Sequence, residues 1–120
     1  MRRVILHLGF HKTGSSSVQA LLRRNRDRLA PEVRCVIQKD PDLRPLEAAC
    51  KSFDRAPNMV NRARLRRQWR RLARRLENSP AATVIVSSED LMGRIPSDRD
   101  RDPIYAQSPE IIAALQEATP

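Results

Sequence analysis

The chain has few cysteines, few aromatic residues and no long apolar run, and each shortage removes a class of function. Only Cys35 and Cys50 are present, with 14 residues between them and no Cys-x-x-Cys or Cys/His pairing, so a structural zinc site is not expected and two buried or free thiols are. Nothing approaches the roughly 18 uninterrupted apolar residues of a membrane span. The start Met1-Arg2-Arg3 before Val4-Ile5-Leu6 imitates an export signal, but His7, His11 and Lys12 interrupt it and no small-residue cleavage site follows. A reducing, cytoplasmic setting is therefore the default expectation. Trp69, Tyr105, Phe10 and Phe53 are the whole aromatic set, too sparse for base-stacking platforms. With 120 residues there is room for one domain and one core, and a second catalytic domain is excluded.

What is present is an apolar fraction of 40%, suited to a globular fold, with nine prolines and 31% charged residues that predict several solvated loops. The net charge of +9 is local. Arg62, Arg64, Arg66, Arg67, Arg70, Arg71, Arg74 and Arg75 lie in one segment without acids, and the rest of the chain is close to neutral. This distribution describes one helix with a solvated cationic face, and nucleic acid is not the expected partner of the fold as a whole. A polyanion-binding module built on these arginines is the alternative from a different class.

Along the chain, Val4–Leu8 reads as a strand buried on both faces, as in a parallel sheet. From Ser15 to Ala30 the period becomes helical, with Val18, Leu21, Leu22 and Leu29 on one face, and Pro31 stops the helix. Val33–Gln38 is a weaker strand, followed by a turn at Asp40-Pro41-Asp42 and a helix over Pro45–Asp54. A long helix from about Met59 to Glu77 places Leu65, Trp69, Leu72, Ala73 and Leu76 on one stripe. Thr83–Ser87 is a β-branched strand with Ser88-Glu89-Asp90 at its carboxyl end. Gly93–Gln107 reads as a loop, and Ser108-Pro109 opens a last helix to about Ala118. Strands alternating with helices imply an α/β domain with about three parallel strands, whose ligands bind beyond the strands' carboxyl ends. The turn at Gly9 and Glu89 both lie at such ends.

Gly9 and Gly14 have the glycine spacing of the Walker A loop, G-x-x-x-x-G-K-[ST], but Ser15 stands where its lysine belongs. Such a loop still suits an anion. Glycine lets backbone N–H groups turn inward, the helix opening near Ser15 presents unpaired N–H groups, and its dipole favours negative charge. Thr13, Ser15, Ser16 and Ser17 add hydroxyl donors, and Lys12 adds a full positive charge.

The run His11-Lys12-Thr13-Gly14-Ser15-Ser16-Ser17, between an apolar strand and an amphipathic helix, resembles the 5′-phosphosulfate loop of sulfotransferases, and looks most like that of bacterial sulfotransferase-like proteins. The resemblance covers residues 4 to 30, and a looser match is Val84-Ile85-Val86-Ser87-Ser88-Glu89. It implies a fold like that of the P-loop nucleoside triphosphate hydrolases and, as co-substrate, 3′-phosphoadenosine 5′-phosphosulfate. By the same resemblance Lys12 contacts the bridging oxygen between phosphate and sulfate, while Thr13, Gly14, Ser15, Ser16 and Ser17 hold the 5′-phosphate. No metal is expected. The acceptor, a small molecule, carbohydrate or lipid, must lose a proton, and Glu89 is the candidate base with His11 behind it. Glu89 as the cap of a helical turn and His11 as an orienter of the loop are the structural alternatives, and His7 reads as a satisfied core residue.

Relatives in that family grip the donor's 3′-phosphate with an Arg and a Ser beyond the Ser-Glu strand, and no counterpart stands before Pro120. The expectation is one domain over residues 1–120, the N-terminal portion of a longer one, with an incomplete sheet whose last strand has an uncovered edge. A P-loop kinase or nucleotide hydrolase is the nearest enzyme alternative, disfavoured by the absent lysine and by the lack of a Walker B carboxylate closing an apolar strand.

Overall fold

The computed structural model of the chain describes residues 3–8, 15–92 and 108–118. Three strands, β1 (Arg3–His7), β2 (Val33–Ile37) and β3 (Thr83–Ser87), form one parallel sheet in the order β1-β3-β2. Ile85 of β3 stands between Ile5 of β1 and Cys35 of β2. The last strand is therefore central, which corrects the expectation that it would carry an open edge. The chain skips a place on leaving β1, and β3 returns to fill it, taking the position buried on both sides.

Helices α1 (Ser15–Arg24) and α2 (Arg26–Leu29) connect β1 to β2, and α3 (Arg44–Arg55) and α4 (Met59–Leu76) connect β2 to β3. A 3-10 turn (Glu89–Met92) follows β3, and α5 (Ser108–Ala118) begins at the Ser108-Pro109 pair. The architecture is the expected α/β arrangement of a small parallel sheet flanked by helices. The expected loop over residues 93–107 lies outside the described residues.

Burial follows the period of each element. Val36, Val84 and Val86 share one face of the sheet and join the core of Leu46, Ala49, Cys50 and Phe53 from α3 with Leu65, Trp69, Leu72 and Leu76 from α4. Ile111, Ala114 and Leu115 of α5 close the same core. The stripe expected in α4 is thus observed, except that Ala73 is only half-buried. Asn58 starts α4, its Oδ1 accepting the Asn61 N–H at 2.9 Å, a cap that typically contributes about 1 kcal/mol. Arg62 ties α4 to α5 through Glu117 at 3.1 Å.

Two readings of the N-terminal third are corrected. β1 was expected to be buried on both faces, yet Val4 and Ile5 are exposed, because β1 pairs with β3 alone among the described residues and α1 packs beside β2. The single helix expected over 15–30 is broken at Asn25, whose Nδ2 donates to the Leu21 carbonyl at 2.8 Å in competition with the helical ladder. Its expected apolar face is turned outward in part: Val18 is 42% exposed and Leu21 58%, Leu22 and Leu29 are half-buried, and Gln19 is 5% exposed. A polar stripe at helical spacing explains this. Gln19, Arg23 and Arg26 meet the carboxyl end of β2, where the Arg23 guanidinium donates to the Gln38 carbonyl and Arg26 pairs with Asp40 at 2.9 Å.

Both cysteines are free and buried, as expected. Burial raises the pKa of each thiol, most strongly for Cys50, so neither is a ready nucleophile. Among the described residues, no helix is long and apolar enough to cross a membrane.

Candidate functional site

Parallel strands bring their carboxyl ends together, and here that end is polar. The His7 Nδ1 lies 2.8 Å from the Ser87 Oγ across the β1–β3 pair, and the Ser88 N–H donates to the His7 carbonyl at 3.1 Å. Gln38 ends β2 and joins three elements. Its backbone N–H donates to the Ser87 carbonyl at 2.7 Å, and its Oε1 accepts from Gln19 Nε2 of α1 at 3.2 Å and from the Glu89 N–H at 3.1 Å. The last residues of β1 and β3, the end of β2 and the first turns of α1 are thus held together by polar bonds.

Glu89 opens the 3-10 turn beside this network, half-buried, and no hydrogen bond or ion pair engages its carboxylate among the described residues. Its position combines the two readings open from sequence, since it starts a helical turn and presents a carboxylate at a strand end. Ser87 and Ser88 are fully buried and engaged, Ser87 by His7 and Ser88 by the Asp90 N–H at 3.2 Å, so their hydroxyls are structural. His7 is hydrogen-bonded as expected, but it is half-buried rather than part of the core.

The nucleotide-loop residues fall on either side of the description. Gly9, His11, Lys12, Thr13 and Gly14 lie outside the described residues. Ser15, Ser16 and Ser17 form the first turn of α1, with Ser17 exposed. Because β1 pairs directly with β3, the end of β1 is one strand spacing, about 4.8 Å, from the strand that Glu89 follows.

Sequence reasoning missed Gln38, Gln19 and Glu47. No spacing rule marks a glutamine that ends a strand, and its role depends on three elements distant in sequence. Glu47 of α3 is buried behind the network, where Lys39 offers its backbone N–H at 3.4 Å and Lys51 pairs with the neighbouring Asp90 at 3.4 Å. Lys39 holds φ at 74°, a left-handed conformation that costs a non-glycine residue about 1–2 kcal/mol and that directs this N–H to the carboxylate. Burial is the main cause that raises the Glu47 pKa; the Lys39 N–H opposes it, Asp90 adds to it, and the Ser88 hydroxyl and Lys51 oppose it.

A raised carboxyl pKa has a defined consequence for stability. The folded state binds the Glu47 proton more tightly than the unfolded chain, so this contribution is full below the ordinary value of 4.5 and is lost as pH rises through the folded-state pKa. Glu47→Gln removes the titration. Urea midpoints are expected to fall from mildly acidic to neutral pH more in the natural chain than in the variant, and parallel pH profiles would refute the assignment.

Among the described residues, no group of three His, Cys, Asp or Glu side chains is gathered as a metal site. Comparison of the chain with protein-family models, with curated proteins and with solved structures found no match in any of the three. Function is therefore argued from the residues themselves.

Proposed function

We propose that the chain is the donor-binding part of a sulfotransferase that uses 3′-phosphoadenosine 5′-phosphosulfate. What supports this most is the order of the chain, in which a His-Lys-Thr-Gly-Ser-Ser-Ser run joins β1 to the start of α1, together with the direct pairing of β1 with β3, the strand that Glu89 follows. Thr13, Gly14, Ser15, Ser16 and Ser17 hold the 5′-phosphate with N–H groups and hydroxyls, helped by the positive end of the α1 dipole. Lys12 faces the oxygen that bridges phosphorus and sulfur.

In the transfer, the acceptor oxygen attacks sulfur in line, the bond from sulfur to the bridging oxygen breaks, and the electron pair stays on the phosphate. Charge therefore grows on the leaving oxygen, where an ammonium group is most effective. Glu89 takes the acceptor's proton, and the products are a sulfate ester and 3′-phosphoadenosine 5′-phosphate. The carboxylate of Glu89 is suited to this because no described partner occupies it.

Titration calorimetry with the phosphosulfate donor and with magnesium ATP tests the reading. The donor is expected to bind at least about tenfold more tightly, a difference of about 1.4 kcal/mol. Tighter binding of magnesium ATP would favour a nucleotide hydrolase or kinase instead, and binding of neither would remove the nucleotide reading.

A further inference from the structure

The outer face of α4 carries a surface that the donor reading does not use. Arg64, Arg67, Arg70, Arg71 and Arg74 are exposed and meet no carboxylate among the described residues, whereas Arg62 and Arg75 are paired with Glu117 and Asp42. With about 100° per residue, the five unpaired arginines fall within an arc of about 120°, opposite the buried stripe of Leu65, Trp69, Leu72 and Leu76. They span about 15 Å of helix, so the charge forms a straight band rather than a cluster.

An apolar feature stands at one end of this band. Met59 is 87% exposed and Val60 77%, and with Ala63, Arg64 and Arg67 they line a shallow open pocket. Solvated arginines explain the charge but not two large apolar side chains presented to water beside it. A nucleic-acid duplex or a sulfated polysaccharide would use the guanidinium groups and leave the apolar pair without a role. Single strands would need stacking rings, yet Trp69, the aromatic residue of α4, is buried.

We infer that this face of α4 docks on an anionic phospholipid surface, with the guanidinium groups on headgroup phosphates and carboxylates and with Met59 and Val60 at the acyl boundary. An anionic lipid is the partner whose chemistry matches both features, since it joins negative charge to hydrocarbon in one molecule. The flatness of a bilayer also suits a straight helical band. Attraction is reversible and sensitive to salt, because α4 turns its main apolar stripe to the core and offers the membrane only its N-terminal tip.

Vesicle co-sedimentation of the full chain tests this, using phosphatidylcholine vesicles with and without about one part in three of phosphatidylserine. Binding to the mixed vesicles alone is expected. The triple variant Arg64→Gln/Arg67→Gln/Arg71→Gln should weaken it about 100-fold, near fivefold for each arginine. Met59→Ser/Val60→Ser should weaken it about tenfold. All five substituted positions are exposed, four of them lining the open pocket and Arg71 lying away from it, so unchanged urea midpoints are the control for folding. Equal binding to both vesicle types, indifference to the Met59/Val60 change, or tighter binding to a DNA duplex in the same salt would each overturn the inference.

Discussion

A Lys12→Ala chain is expected to bind 3′-phosphoadenosine 5′-phosphosulfate about 10–100-fold more weakly than the natural chain while unfolding at the same urea concentration. The affinity estimate rests on the loss of one hydrogen bond to a charged group, worth about 1.5–3 kcal/mol. The effect on turnover is expected to be larger. In the bound donor the bridging oxygen carries little charge, whereas in the transition state it holds the pair released by sulfur, so the ammonium group contributes most during bond breaking. Removal of one such preorganised donor typically costs about 10²–10³ in rate. Release of inorganic sulfate, with water as acceptor, measures this step without knowledge of the natural acceptor. Lys12→Arg keeps the charge and should recover affinity in part. Donor affinity and sulfate release both unchanged in Lys12→Ala would remove Lys12 from the proposed mechanism.

The second large effect concerns the fold that holds the site. Trp69→Ala is expected to cost about 3–5 kcal/mol, the usual range for removal of a large buried aromatic side chain. A domain of this size typically has only about 5–15 kcal/mol to lose. Trp69 is 2% exposed in the core that α3, α4 and α5 share with Val36, Val84 and Val86, so a cavity there loosens the helix layer beneath the central strand. Far-UV circular dichroism against urea should show a markedly lower midpoint, because the substitution also removes the fluorescence probe. A loss under about 1 kcal/mol would mean that the side chain is not packed as described.

The contrast between these two changes separates function from folding. Lys12→Ala should lower donor affinity and sulfate release at unchanged stability, whereas Trp69→Ala should lower stability and, through it, everything else. The α4 arginines form a third, independent group, since they face away from the core that Trp69 fills.

Much of the local architecture was legible. The run of β-branched residues over Thr83–Ser87, the Leu65–Trp69–Leu72–Leu76 stripe and the stop at Pro31 each act within a few residues, and the structure has the corresponding strand, buried face and helix end. Glu89 was placed correctly at a strand end. The face of α1 was not legible, because Val18 and Leu21 satisfy the apolar period while Gln19, Arg23 and Arg26 satisfy a competing polar one. Partners on β2 and in the turn after it decide between them, and those partners are 14 or more residues away in sequence.

By itself, then, the sequence determined the three strands and the longer helices in their order, the two buried thiols, the confinement of charge to α4 and the loop composition that motivates a phosphosulfate donor. These properties follow from periodicity, caps and local chemistry, which one segment carries alone. Only the tertiary structure decided that β3 lies between β1 and β2, that β1 is at an edge among the described residues, and that Gln38 binds three elements at the site. Such outcomes depend on which distant surfaces bury one another best, a competition that no single segment records.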